Sequence, residues 1–388
     1  MKVAFVTDAP YAKDIRLQRT VEALQELDNF SLSVLSQGFF LEESKAALGD
    51  NGQLFPSPIP DGKIKRFLWH VQNRLFPMRS YDKRAKWTYE TLYSIKPDII
   101  HCVNPFALEA CINASQRLNA KLVYEAYEYW PEYIFELGGR VPFRVATRIW
   151  NIEKRSAQFV SGFITVSEPL AQWYEFDSEP QHSLITYNVN SPDGSAVKPS
   201  ESSSDTSLSL VYAGVLHSER NIDIAIDAVS KVDDVVLTIQ GEGVDKQRLE
   251  DLARSLKVDD RITFANMVPA DALVDSLAQY DLGLTLLSSK SKQMDGAIPN
   301  KVFDYMRAGL GILAVESAGL KSLKQAQDSI IYLNSLCSEL LASQLQSLQK
   351  NKSAIERAKI SSRENSRCYS RGEQIRRIQE LYLNFAKG

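Results

Sequence analysis

The chain has 388 residues, 44% of them hydrophobic, with 45 Lys and Arg against 48 Asp and Glu. That length and composition fit two ordinary globular domains, each able to bury a core of its own, and exclude a disordered or collagenous chain. A net charge of −3 excludes a generally basic, nucleic-acid-type protein. The four cysteines, Cys102, Cys111, Cys337 and Cys368, match no zinc spacing and no disulfide framework, which points to a reduced, cytoplasmic compartment. The N-terminal apolar run meets Asp8 and Pro10 too early for a secretory signal, so Lys2 to Thr7 reads as a buried strand.

Short apolar runs then alternate with amphipathic stretches. A helix is expected from Asp14 to Leu27, with Ile15, Val21, Leu24 and Leu27 apolar. Strands are expected at Leu32–Leu35, Asp98–Cys102, Lys121–Tyr124 and Phe163–Val166, mostly separated by helices. Such alternation predicts a parallel sheet covered on both faces. The segment SPDGSAVKPSESSSDTS has seven serines and two prolines and reads as a linker over residues 191–207. After it the alternation restarts with LSLVYAG, a helix from Ile222 to Val229, VVLTIQG, RITFAN, DLGLTLL and LGILAV. The expected layout is therefore an α/β domain over 1–190, a second over 208–370, and a helix over 371–388 that could pack back on the first. Two such domains place a ligand cleft between them.

The second half opens with VYAGVLHSERNIDIAIDAV: a strand ending at Gly214, a loop, and a helix beginning near Asn221. A helix N-terminus suits phosphate, and Arg220 beside it could fork onto a diphosphate; taken alone, it reads better as a solvated loop Arg. The next strand ends in QGEG, where Gly241 and Gly243 let a backbone pass close to a ligand or simply turn the chain. The strongest segment is AIPNKVFDYMRAGLGILAV, Ala297 to Val315. Pro299 stands where a helix begins. Lys301 lies in its first turn, where a cation opposes the helix dipole and hints at an anionic ligand. Asp304 follows Asn300 by one turn, on the same face.

PNKVFDYMRAGLGILA resembles the donor-site segment of the GT-B glycosyltransferases, in particular the large retaining family four. YAGVLHSERNIDIAIDA, QGEG and RITFANMVPADALVDSLAQYDLGLTLL resemble further donor-domain segments, and PDIIHCVNP, KLVYEAYEYWPE and EKRSAQFVSGFITVSEPLAQWY resemble parts of the first domain. The resemblance implies an α/β fold of two Rossmann-like domains in the GT-B arrangement, with a C-terminal helix. It implies transfer of a sugar, with retention, from a nucleotide-sugar to a saccharide or lipid-linked acceptor, as in bacterial surface polysaccharide or glycolipid synthesis. No metal or other cofactor is expected. Gly214, Arg220, Gly241, Gly243, Met267, Asn300, Lys301 and Asp304 would bind the donor, Asp304 standing where relatives carry a ribose-binding Glu. Asp8, Asp14, Arg16 and Glu125 would serve the acceptor.

Two departures stand out. The first Glu of the family's donor pair falls on Gly296, with Asp295 adjacent. Tyr127 occupies the place of a His that faces the donor sugar in many relatives; Tyr127 would then position rather than ionise, or it packs with Tyr129 and Trp130 in the interior. These departures keep open a degenerate protein that binds a nucleotide sugar or a partner without turnover. A nucleotide-sugar epimerase of the same fold is a further alternative, and only His70, His101, His182 and His217 could supply its imidazoles.

The near-neutral total hides one local excess. Residues 63–86, KIKRFLWHVQNRLFPMRSYDKRAK, hold eight Lys or Arg and one Asp, +7 in all, interleaved with Phe67, Trp69 and Phe76. Basic and aromatic residues mixed in this way compose a surface helix on anionic lipid, or equally a solvated helix, and suggest peripheral contact with the inner face of a membrane.

Overall fold

The computed structural model describes residues 1–58, 75–137, 141–174, 180, 182–189, 207–288 and 291–387. Most of the expected linker, and residues 63–74 of the basic segment, lie outside the described residues. The chain divides into two compact units, one of 1–186 with 375–388 and one of 187–374.

The first unit is built on β1 (Lys2–Val6), β2 (Ser31–Ser36), β3 (Gly52–Pro56), β4 (Ile99–Val103), β5 (Lys121–Ala126), β6 (Gly162–Thr165) and β7 (His182–Ile185). They form one sheet in the order β3-β2-β1-β4-β5-β6-β7, and every pairing is parallel. A parallel sheet needs helical crossovers that cover both faces, so its central strands are apolar at nearly every position. β1 shows this: Val3, Ala4, Phe5 and Val6 are all buried. Because successive side chains alternate across a strand, these four residues serve two cores. Ala4 and Val6 join Ile100, Cys102, Leu122 and Tyr124 on one face. Val3 and Phe5 join Ile99, Val103, Val123 and Ile164 on the other, with Ile378, Leu381, Tyr382 and Phe385.

Those last four residues belong to the terminal helix, Arg371–Lys387. They recur at spacings of three and four, which is the apolar stripe a helix needs to lie on a sheet. Gly162 makes the approach possible, since a Cβ there would stand 2.7 Å from the Phe385 ring. Lys121 Nζ donates to the carbonyl of Phe385 at 3.1 Å and so occupies an acceptor at the helix end. Gln379 Nε2 donates to Ala23 O at 2.9 Å, tying this helix to Ile15–Gln25.

The second unit is built on β8 (Leu208–Ala213), β9 (Val235–Gln240), β10 (Ile262–Ala265), β11 (Leu282–Thr285), β12 (Gly311–Val315) and β13 (Ile330–Leu333). Its sheet runs β10-β9-β8-β11-β12-β13, again all parallel. Leu208, Leu210 and Tyr212 enter one core with Leu237, Ile239 and Leu284. Val211 and Ala213 enter the other with Val302, Phe303, Tyr305 and Met306 of the helix Lys301–Ala308.

The expected helix from Asp14 to Leu27 is shorter, Ile15–Gln25, because Asp14 is its N-cap, its side chain accepting from Leu17 N. Three strands escape the sequence pattern: β3, β7 and β13. Each is a sheet edge, four or five residues long, and only partly buried. Among the described residues, no helix is long and apolar enough to cross a membrane.

Tyr382 is fully buried and faces His101, Phe5 and Phe30. Tyr382→Ala is expected to destabilise the first unit by about 3–5 kcal/mol. Tyr382→Phe, which keeps the ring and loses the hydroxyl bond to His101, should cost about 1 kcal/mol. Equilibrium denaturation of the full chain measures both; equal midpoints for wild type and Tyr382→Ala would show that the helix is not part of the unit's cooperative core.

Candidate functional site

In an open parallel sheet, ligands bind beyond the carboxyl ends of the strands, where strand order reverses. In the second unit that point lies between β8 and β11. Asn221 braces it. Its backbone adopts the left-handed conformation, φ 54°, and its Nδ2 donates to Leu286 O at 2.7 Å, just past β11. Tyr305 braces it from below. Its hydroxyl accepts from Ala213 N at 3.0 Å and donates to Leu284 O at 3.2 Å, so the ends of β8 and β11 hang on one buried phenol. A Cβ at Gly283 would meet that ring at 2.4 Å, which explains a glycine inside a buried strand.

Tyr305 also fixes the helix that carries Lys301 and Asp304. The Lys301 ammonium lies 3.4 Å from the Tyr212 ring centroid, and 3.2 Å from where a Cβ on Gly214 would stand. Gly214 has φ +142° and so needs to be glycine on two counts. Burial first, and then the Arg220 cation, push the Lys301 pKa well below its ordinary value, while Asp304 works against them. Lys301, Arg220 and Asp304 therefore sense one another's charge at the end of β8. Asn300 is the N-cap of their helix and is partly buried. Met267, after β10, is 66% exposed.

The glycines of QGEG have a role different from a bare opening to ligand. A Cβ on Gly241 would stand 1.9 Å from Gly214 O, and one on Gly243 2.0 Å from Leu216 O. Gly214 N donates to Gln240 O at 3.0 Å and Leu216 N to Glu242 O at 2.9 Å. The room these glycines supply is filled by the neighbouring loop, which continues the strand pairing past the sheet. They shape the loop after β8 from behind.

Asp295, next to the position of the missing acid, accepts from Ala318 N at 3.0 Å. The carbonyls of Gly296 and Ala297 crowd Gly319, at 2.6 and 2.5 Å from its would-be Cβ. This loop is thus fastened to the segment Ala318–Lys321, and its acid is committed there.

In the first unit strand order reverses between β1 and β4. Asp14 accepts from Thr7 Oγ1 at 2.9 Å, from Leu17 N at 3.1 Å and from the Tyr127 hydroxyl at 3.2 Å. The Arg16 guanidinium lies 4.5 Å from the Tyr127 ring centroid. Asn104 Oδ1 accepts from Trp130 Nε1 at 3.0 Å and from Tyr127 N at 3.4 Å. Asp14, Arg16 and Tyr127 are thereby brought together, with Asp8 electrostatically coupled to Asp14.

The charge states follow from burial. Desolvation raises the Asp8 carboxyl to about 6, and Asp14 and Glu128 add to it. Asp14 is also raised, again by burial, against three hydrogen bonds that favour its charge. Burial, then Glu125 and Asp14, hold the Tyr127 hydroxyl well above its ordinary value. Tyr127 is thus a neutral hydrogen-bond donor throughout the physiological range, not a base.

Glu125, expected to face an acceptor, is placed elsewhere. It is 2% exposed, and its Oε2 lies 2.8 Å from His101 Nε2, whose Nδ1 meets the Tyr382 hydroxyl. Its alternating position on β5 turns it toward the terminal helix, while the turn after β5 carries Tyr127. Sequence reasoning missed Tyr305, Tyr212 and Asn221. Their signals were a tyrosine among buried helix positions, a tyrosine near the end of a buried strand and an Asn just before a helix. Among the described residues no group of three or more His, Cys, Asp or Glu is arranged to hold a metal ion.

Residues 207–351 match the family model described as Glycosyl transferases group 1. The fold is similar to that of Anabaena HepE in complex with UDP, at 13% identity over 99% of this chain and 100% of that one, TM-score 0.69. It is also similar to sucrose-phosphate synthase from Thermosynechococcus elongatus, at 12% identity over 100% of both chains, TM-score 0.72. WaaG, a glycosyltransferase involved in lipopolysaccharide biosynthesis, matches at 12% identity over 98% of this chain and 99% of that one, TM-score 0.59. No curated protein matches the chain. These likenesses show the fold: two Rossmann-like α/β units of the kind seen in GT-B structures.

Gly241→Ala is expected to force the loops after β8 and β9 apart. The second unit should lose about 2 kcal/mol or more in thermal or chemical denaturation, by the mechanism of strain at a packed backbone. A variant as stable as wild type would show that these loops are free to separate.

Proposed function

We propose that this GT-B chain transfers a hexosyl group, with retention, from a nucleotide-sugar to a saccharide or lipid-linked acceptor, in bacterial surface polysaccharide or glycolipid synthesis. The observation that carries the reading is the cluster at the end of β8: Lys301 desolvated beside Tyr212 and Gly214, coupled to Arg220 and Asp304. A cation held there at such cost suits an anion that arrives with the substrate. Lys301 and Arg220 would hold the diphosphate, and Asp304 would accept from the ribose hydroxyls. The group 1 match covers this whole segment. HepE is described in complex with UDP and with UDP-glucose, which favours a UDP-sugar donor here.

Departure of the diphosphate builds negative charge, and fixed cations stabilise it in the transition state without the need for a bound metal. Retention by front-face substitution asks for no strong protein nucleophile, since the leaving phosphate can take the acceptor proton. A neutral Tyr127 fits that scheme as a donor that orients a sugar hydroxyl. Asp8, Asp14 and Arg16 stand with it at the carboxyl end of the first sheet and would meet the acceptor.

The second reading, a protein that binds the donor without turnover, is favoured by one feature: Gly296 replaces the donor-pocket acid and Asp295 is committed to Ala318. Calorimetry with UDP followed by a donor screen reading released nucleotide separates the two. Lys301→Ala should weaken UDP binding about 10- to 100-fold, the loss of a charge-assisted contact. Asp304→Ala should weaken it less. Wild-type binding and turnover in both variants would show that the donor site is misassigned. Tight binding with no turnover across hexose donors and plausible acceptors would establish the second reading.

Peripheral contact with an anionic membrane through residues 63–86 is part of the proposal. Within its described portion, Leu75 and Phe76 are 66% and 55% exposed. Weak, salt-sensitive binding to phosphatidylglycerol vesicles is expected. Changing Lys65, Arg66 and Arg74 to Gln should reduce it; equal binding by that variant would remove this part.

A further inference from the structure

The helix Phe143–Ser156 carries one acid into the core of the first unit. Glu153 is 3% exposed. Its Oε1 meets the Tyr124 hydroxyl of β5 and lies 3.0 Å from the Tyr174 hydroxyl. Among the described residues its Oε2 is buried with no hydrogen-bond partner. Tyr174 stands just after the helix Glu168–Trp173 and reaches the turn before Trp130. Its oxygen is 2.8 Å from the carbonyl of Glu128 and accepts from Trp130 N at 3.2 Å, an amide that is shared with Glu128 O at 3.0 Å.

The hydrogens decide what Glu153 must be. A tyrosine hydroxyl carries one proton. Glu128 O can only accept, so Tyr174 must give it that proton. An ionised Glu153 can also only accept. Two acceptors would then compete for one hydrogen, and one oxygen pair would face lone pair to lone pair in a dry interior. A protonated Glu153 resolves the conflict. Its own hydrogen goes to Tyr174, the Tyr174 hydrogen goes to Glu128 O, and the Trp130 amide fills the remaining lone pair. Tyr124 donates to the acid. The orphan Oε2 is then a neutral carbonyl oxygen, far cheaper to bury than half a carboxylate.

We propose that Glu153 is a positioning residue that works as a neutral acid, its proton holding Tyr174 on the Glu128–Trp130 turn and so setting Tyr127. That turn joins Tyr127, whose hydroxyl meets Asp14, to Trp130, whose indole meets Asn104. Burial accounts for the retained proton: it raises Glu153 to about 8. The titratable groups around it are Tyr124 and Tyr174, both raised well above their ordinary values by burial and then Glu153, with Cys102 of β4 acting on Tyr124. The sign follows. The native state holds a proton that the unfolded chain releases near the ordinary Glu value, so the contribution is fully present at acid pH. It declines as pH rises toward 8 and is lost above it.

Hydrogen exchange at the Trp130 amide of the full chain, corrected for the intrinsic rate, tests this. Wild type is expected to be protected at pH 6.5 and to lose at least tenfold in protection by pH 9.5. Glu153→Gln keeps a donor in the same place and should stay protected at both. Tyr174→Phe, which removes the hydroxyl and leaves the amide its contact with Glu128 O, should be less protected than wild type at pH 6.5 and show no further decline by pH 9.5. Unchanged wild-type protection across the interval would overturn the proposal. So would a Glu153→Gln variant that follows the wild-type decline or is unprotected at pH 6.5. Glu153→Ala should be unprotected; should it fail to fold, the Gln variant decides alone.

Discussion

The constraint on which this structure rests is that a parallel sheet has no free face. Each pairing demands a crossover, each crossover lays a helix on the sheet, and both faces of β1 or β8 end up dry. Chemistry is then confined to the strand ends, and among those ends to the point where strand order reverses. The same constraint explains the terminal helix. One face of the first sheet would be open beside β1 without Ile378, Leu381, Tyr382 and Phe385, and the chain returns from the second unit to close it. Gly162 and Lys121, far away in sequence, are shaped to receive it.

Both candidate ends hold charged groups in states that water would not choose. At the second sheet burial acts against the Lys301 cation; at the first it acts against the anions of Asp8 and Asp14. The two cases differ in how the cost is met. Asp14 is surrounded by fixed donors, Thr7, Leu17 and Tyr127, so its place is complete without a ligand. Lys301 lies against an aromatic face and a glycine, with a second cation coupled to it. A preorganised cation pair of that kind gains most from an arriving anion, since the reorganisation has already been done by folding.

The two-unit α/β plan was legible in the sequence because buried parallel strands are continuous apolar runs, and KVAFV, IIHCV, LSLVYA and GILAV stand out as such. β3 and β7 were not legible, because GQLFP and HSLI lie at sheet edges and need only one partner. At the site, Lys301 and Asp304 were visible as charges in the first turn of a Pro-started helix. Tyr305 between them and the sheet was not, since a buried phenol looks like any core aromatic until its two hydrogen bonds are seen. QGEG was read as room for a ligand or as a simple turn; the room is occupied by the loop after β8, a contact that no local pattern encodes. Glu125 was read as an acceptor residue by resemblance, yet strand alternation sends it to His101, which meets Tyr382.

The pair Glu125 and Glu153 shows how two acids enter one core by opposite routes. Glu125 lies 2.8 Å from an imidazole that can supply a hydrogen, and the contact passes on to Tyr382, so the acid is joined to the helix that closes the sheet. Among the described residues Glu153 meets only hydroxyls, and one of those has its hydrogen claimed by a backbone carbonyl. An interior that offers no cation and too few hydrogens makes the acid keep its own. The fold therefore joins one carboxyl to a histidine and uses the other as a proton donor, and it is the donor that is linked to the turn that carries Tyr127.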